Sequence, residues 1–200
     1  FTYDLSDRMT QVKDNIGRTV AYTYDANGNL ASVTDPELNV TTYTYTAADL
    51  LATHKDGRKI VYLTNQYTNA CAAPAPACWR ITQQTLADPA ASYQFAYTLD
   101  GAGKITQTDI TDPRGQVERL TFNADHYPVT DIEALGTPQQ RTTTTERQAG
   151  SNLVTAVTDG LNRRTAYTYD GTGHVLTVTR LAGTADAVTT TFTYEPKFNQ

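Results

Sequence analysis

Helix formers, large apolar residues and charge are all scarce in this chain. Its 200 residues hold one Met, one Trp and two Cys. Leu, Ile, Val and Phe together make 37 residues. That is below the roughly 20% at which a conventional core becomes hard to build, so a thick two-layer globule is not expected. With 16 Lys plus Arg and a formal net charge of -5, a nucleic-acid surface is not expected either. No apolar run approaches the roughly 18 residues of a membrane span. The chain opens Phe1-Thr2-Tyr3-Asp4 without an initiator Met or a signal peptide, and reads as a piece of something longer. Disorder does not follow from the low aliphatic content, because the net charge is small and there are 13 Tyr. What is abundant is Thr, also at 37, and a Thr- and Tyr-rich composition poor in helix formers favours strands.

The chain repeats itself. Tyr3-Asp4-Leu5-Ser6-Asp7-Arg8-Met9 is followed by Val12, Asp14 and Gly17-Arg18-Thr19. Shifted by 21 positions it returns as Tyr24-Asp25-Ala26-Asn27-Gly28-Asn29-Leu30, with Val33-Thr34-Asp35 behind it and Tyr45 opening the next unit. Further frames start at about 67, at Tyr97 with Gly101 and Gly103, at 122, and at about 146. The last begin at Tyr169-Asp170-Gly171-Thr172-Gly173 and at Tyr194. The interval varies between 21 and 30 residues, so the tips of the unit are loops.

Inside each unit the period is two. Val20-x-Tyr22-x-Tyr24, Thr41-x-Tyr43-x-Tyr45 and Thr165-x-Tyr167-x-Tyr169 each give one strand face an aromatic stripe. A second strand such as Leu30-Ala31-Ser32-Val33-Thr34 follows a Gly-containing turn, where Gly and Asn supply positive φ and Asp accepts backbone donors. One repeat is therefore one β-hairpin. About eight hairpins, or roughly 16 strands, make an all-β, single-layer antiparallel sheet, and an open twisted sheet much beyond about 10 strands should curl. The expected architecture is a curled, spiralling sheet: a hollow shell or solenoid segment in which stripes of neighbouring hairpins stack on one another. Residues 1–200 read as one segment of a longer array, with an inserted loop near 69–79.

The Tyr-Asp-x-x-Gly-x-Leu unit, with its Val-Thr-Asp and Gly-Arg-Thr continuation, resembles the Rhs or YD-repeat family. The family includes bacterial Rhs polymorphic toxins, the cocoon components of insecticidal toxin complexes and the animal teneurins. The resemblance implies a hollow β-shell that wraps a C-terminal toxin polypeptide in the bacterial members, and a cell-surface adhesion scaffold in the teneurins. It implies as partners the flanking YD repeats of the same chain, an enclosed toxin domain and a delivery-machinery protein. The location it implies is secreted or cell-surface. Leu38 stands where a Gly is expected, Thr46 and Glu195 replace the Asp after Tyr45 and Tyr194, and Glu146-Arg147 replaces the Tyr-Asp pair. Such drift suits positions that are structural.

No motif for catalysis, a cofactor or a metal emerges. The four serines, Ser6, Ser32, Ser92 and Ser151, lie in no nucleophile elbow. Gly101-x-Gly103 and Gly171-x-Gly173 fall in hairpin turns, without the following helix or Lys of a phosphate cradle. Asp25-x-Asn27-Gly28-Asn29 opens like a calcium loop, but its twelfth position is Pro36. His54, His126 and His174 lie in three different repeats and read as solvated or turn residues. Asp recurs in register at 4, 14, 25, 35, 112, 159 and 170, the mark of turn-capping carboxylates. Cys71 and Cys78 are a disulfide candidate in the longest interval, with free thiols as the alternative. A bridge would point to an oxidising destination. Trp79 packs under the inserted loop or forms a contact surface. Two functional readings stand: a structural wall around a toxic polypeptide, and a cell-surface scaffold recognising a protein or glycan. Neither is an enzyme.

Overall fold

The computed structural model of the chain describes residues 1–68, 79–87 and 90–195. Cys71 and Cys78, and with them most of the expected inserted loop, lie outside the described residues. No helix occurs among the described residues, and the seventeen strands found there belong to one antiparallel sheet. By its internal contacts the chain divides into Phe1–Phe95 and Ala96–Gln200.

In the first unit β1 (Thr2–Tyr3), β2 (Met9–Lys13), β3 (Thr19–Tyr24), β4 (Leu30–Thr34) and β5 (Val40–Tyr45) come first. Then come β6 (Leu51–Lys55), β7 (Val61–Tyr67), β8 (Ile81–Ala87) and the opening of β9 (Ala90–Leu99). Each pairs antiparallel with the strand before it. The second unit continues from the end of β9 through β10 (Ile105–Thr111), β11 (Val117–Phe122), β12 (Pro128–Glu133) and β13 (Arg141–Arg147). It finishes with β14 (Val154–Thr158), β15 (Arg164–Tyr169), β16 (Val175–Arg180) and β17 (Val188–Thr191), again neighbour to neighbour. This is a meander of hairpins with no crossover, which short turns between consecutive strands dictate.

The sheet is one layer thick. Among the described residues only Ile105, Ala156 and Asn65 are buried, so most strand residues sit half-covered by their in-sheet neighbours. The two faces differ in chemistry. One carries cross-strand hydroxyl pairs: Thr23 with Ser32 at 2.6 Å, Thr44 with Thr53 at 2.6 Å and Thr168 with Thr177 at 2.7 Å. On the other face Tyr22 lies opposite Val33, Tyr43 opposite His54 and Tyr167 opposite Val178.

The aromatic stripes do not stack on one another as the sequence suggested. A repeat is two strands wide, so equivalent rings stand roughly 9.5 Å apart, and the strand between them carries Val33 or Val178. The exception runs through His54, which bridges the gap. It stacks on Tyr43 with ring centroids 4.8 Å apart and meets Tyr62 edge-on at 4.6 Å. His54 is thus a ladder residue, neither solvated nor in a turn.

Candidate functional site: the Tyr-Asp turns

Eleven hairpin ends among the described residues are built on one five-residue plan. They open at Asp4, Asp14, Asp25, Asp35, Thr46, Asp56, Asp100, Asp112, Asn123, Asp159 and Asp170. In each the first residue's N–H donates to the fifth residue's carbonyl, and the fourth residue's N–H donates back to the first carbonyl. The fourth residue has positive φ in all eleven, for example 92° at Gly28 and 66° at Leu38. Leu38 therefore occupies the glycine position in fact as well as in register, and adopts a conformation that costs an L-residue about 1–2 kcal/mol.

The first side chain closes the turn. In all nine Asp turns Oδ1 accepts the N–H groups of the third and fifth residues; in the Asp25 turn these come from Asn27 at 2.9 Å and Asn29 at 2.8 Å. Thr46 Oγ1 and Asn123 Oδ1 accept the same two donors in their turns. In most of these turns the second carboxylate oxygen takes a side chain from the turn itself. Arg8 Nε reaches Asp4 at 2.8 Å, Arg18 Nε reaches Asp14 at 2.7 Å, and Arg163 Nε reaches Asp159 at 2.7 Å. These contacts hold the carboxyls below their usual range. For Asp4 the Arg8 backbone N–H is the leading cause, and for Asp14 it is the Arg18 side chain. For Asp170 it is the Thr172 hydroxyl, followed by His174 against some desolvation. At Asp25 desolvation is the largest influence and raises the value, but the bonds from Asn29, Asn27 and Gly28 together outweigh it.

Tyrosine precedes the turn on alternate ends of the hairpins, and the ladder register slips at that residue: between Thr23 and Tyr24, Thr44 and Tyr45, and Thr168 and Tyr169. Released from the ladder, each ring reaches back across one hairpin. Tyr24 donates its hydroxyl to the Met9 carbonyl at 2.7 Å, Tyr45 to Leu30 at 3.0 Å and Tyr169 to Val154 at 2.6 Å, each 15 residues earlier. Tyr67 does so to Leu51 at 2.7 Å and Tyr194 to Val175 at 2.8 Å. The acceptor is always the residue just after the preceding turn on the same side. Burial, then the neighbouring Asp25 charge, pushes the Tyr45 phenol up, so it remains a donor. Tyr hydroxyls thus lace successive turns into one edge. Asn27 and Asn29 add to the lacing, both donating to Asp49 of the next turn on that edge, at 2.9 and 2.7 Å.

The structure places the remaining repeat residues as follows. Tyr3 precedes its turn and is exposed. Gly173 holds the positive-φ position after Asp170, as Gly28 does after Asp25. In the frame assigned to Tyr97 the residue before the turn is Leu99, and Tyr97 lies two positions inside β9; Gly101 is the second turn residue, and the positive φ belongs to Gly103. At the frame assigned to 146, Arg147 is the residue before the turn and Gln148 opens it. Arg147 does the tyrosine's work with a guanidinium: Nε donates to the Pro128 carbonyl at 3.1 Å and Nη1 to the Asn152 carbonyl at 2.9 Å. Sequence reading missed the lacing bonds. The signal for them is the placement of Tyr immediately before a turn and 15 to 19 residues after the residue that follows another turn on the same edge.

Among the described residues no three His, Cys, Asp or Glu side chains converge as metal ligands would. Trp79 is exposed and lines a groove with Thr46, Leu50, Tyr67 and Thr68.

Two stretches, residues 3–39 and 150–185, match the family model described as RHS Repeat. No curated protein matches the sequence. Among solved structures the chain is similar to the crystal structure of TcdB2-TccC3 without its hypervariable C-terminal region, at a TM-score of 0.63 and 14% identity. The match covers 99% of this chain and 12% of that one. It is similar to the crystal structure of TcdB2-TccC3 at a TM-score of 0.62 and 15% identity, over the same shares of the two chains. At this identity the likeness carries the fold.

Proposed function

We propose that this chain, two stretches of which match the RHS Repeat model, belongs to the Rhs or YD-repeat family and is a length of shell wall enclosing a toxic polypeptide until delivery. The observation that carries the reading is where the repeat residues spend their polar groups. Each laced Tyr hydroxyl is engaged by backbone, and each turn Asp carboxylate by backbone N–H groups of its own turn, so the signature residues hold the sheet together. A wall needs a thin, extensible sheet with edges that accept further hairpins, and a single-layer meander supplies both. On this reading the partners are flanking repeats of the same polypeptide, the enclosed toxin domain and a protein of the delivery machinery. The likeness to 12% of a chain of the TcdB2-TccC3 structures supports a segment of a much longer wall. The protein acts outside the cytoplasm, as a secreted or surface component, and its repeats carry no reaction.

Limited proteolysis of the full-length polypeptide tests this. The enclosed domain should resist protease while the wall is whole, and become cleavable when residues 24–44 are deleted. A domain equally sensitive before and after, or no enclosed domain at all, would favour the surface-recognition reading.

A further inference from the structure

The strands β10–β12 depart from the Tyr-laced repeats in two ways. The first is lacing. Phe122 stands where Tyr24, Tyr45 and Tyr169 stand before their turns, and Phe has no hydroxyl to send back to the residue after the Asp100 turn. A small cavity opens there, lined by Ile105, Phe122, Asn123 and His126.

The second is the face opposite the hydroxyl pairs. Where Tyr22 meets Val33 and Tyr167 meets Val178, Leu120 meets Asp131, and Asp131 Oδ1 is buried without a hydrogen-bond partner. Glu118 lies two residues from Leu120 and Glu133 two from Asp131, which puts three carboxylates on that face of two adjacent strands. Burial, then the Asp131 and Glu133 charges, raises Glu118; burial, then the Glu133 charge, raises Asp131. The surrounding strands bring little relief. β10 presents Thr108 and Ile110. β13 presents Thr143 and Arg141, and Arg141 is spent on Glu133 at 2.9 Å. Beyond it, Asp159 and Arg163 are paired with each other. Arg119 points to the opposite face, where it is bound to Asp109 at 2.6 Å.

We propose that β11 and β12 form a pH-gated seam in the sheet, loosest when Glu118 and Asp131 are ionised beside Glu133 and held shut in mild acid. Carboxyls raised by folding make the native state bind protons more tightly than the unfolded chain. Their cost is full above the raised values, shrinks as pH falls through them, and is gone below the ordinary values of 4.5 for Glu and 3.8 for Asp. The turn aspartates have the opposite sign and lose their contribution only in stronger acid, so between neutral pH and about pH 4 the seam tightens while the turns are unaffected. The proposal concerns the strength of the sheet itself and stands whatever the wall encloses.

Hydrogen exchange of the full chain at pH 7 and about pH 5, corrected for intrinsic exchange, tests it. Amides of β11 and β12 should be several-fold less protected than those of β3 and β4 at pH 7, and should gain protection at the lower pH while β3 and β4 do not. Asp131→Asn should raise protection at pH 7 and remove most of the acid gain. Phe122→Tyr, which supplies the missing hydroxyl, should raise protection at both pH values and keep the acid gain. Equal behaviour of the two strand pairs at both pH values overturns the proposal, as does an acid gain that survives in both Asp131→Asn and Glu118→Gln.

Discussion

At the scale of single residues the sheet depends on two side-chain types that each satisfy backbone groups the ladder leaves over. A five-residue turn strands several N–H groups, and one carboxylate at its start accepts two of them while pairing with a third group through its other oxygen. Because the turn carboxyls are held below their ordinary value of 3.8, folding is favoured by their ionisation, and that contribution is lost as pH falls through the depressed values. Thermal melts between pH 7 and pH 2 should therefore show stability falling only below about pH 4, and the fall should be shallower in Asp4→Asn. The tyrosine makes its contribution through one oxygen atom. Tyr45→Phe keeps the ring and removes the bond to the Leu30 carbonyl, so it should lower stability by about 0.5–1.5 kcal/mol in denaturant melts. An unchanged midpoint would show that the bond contributes nothing net.

At the scale of the hairpin the two edges of the sheet are held differently. One edge is laced by Tyr. On the other, turns approach each other closely: a Cβ built on Gly57 would lie 2.7 Å from the Asn39 Cβ, whereas one on Gly101 would meet nothing. Gly57→Ala should destabilise and Gly101→Ala should not, a contrast that melts of the two variants check directly. Strand, turn and register were legible in the sequence because period-two alternation and Gly- or Asn-bearing turns are local signals. The lacing was not, since it joins residues 15 to 19 apart that meet only after two strands have paired. For the same reason Arg147 looked like a lost Tyr-Asp pair: its guanidinium replaces the hydroxyl functionally, and nothing in the residue type announces that. His54 was misread because a histidine between two tyrosines becomes a ladder residue only when β5, β6 and β7 lie side by side. The frame at Tyr97 slipped by two residues because β9, at 10 residues, is longer than the other strands and leaves the spacing undetermined.

At the scale of the whole molecule the chain is a run of interchangeable hairpins, each held chiefly by its neighbours, whose signature residues serve cohesion. A fold of that kind tolerates removal of a complete unit. Deleting residues 24–44 joins Thr23 to Tyr45, keeps the Tyr-before-turn order, and brings Tyr45 to the position 15 residues after Met9, so its hydroxyl inherits the carbonyl that Tyr24 used. Circular dichroism with a thermal melt of this shortened chain is the most direct measurement. The account predicts an undiminished β signal per residue and a single cooperative transition, somewhat lower in temperature than that of the parent. A shortened chain that is unfolded, or that melts without cooperativity, would contradict it.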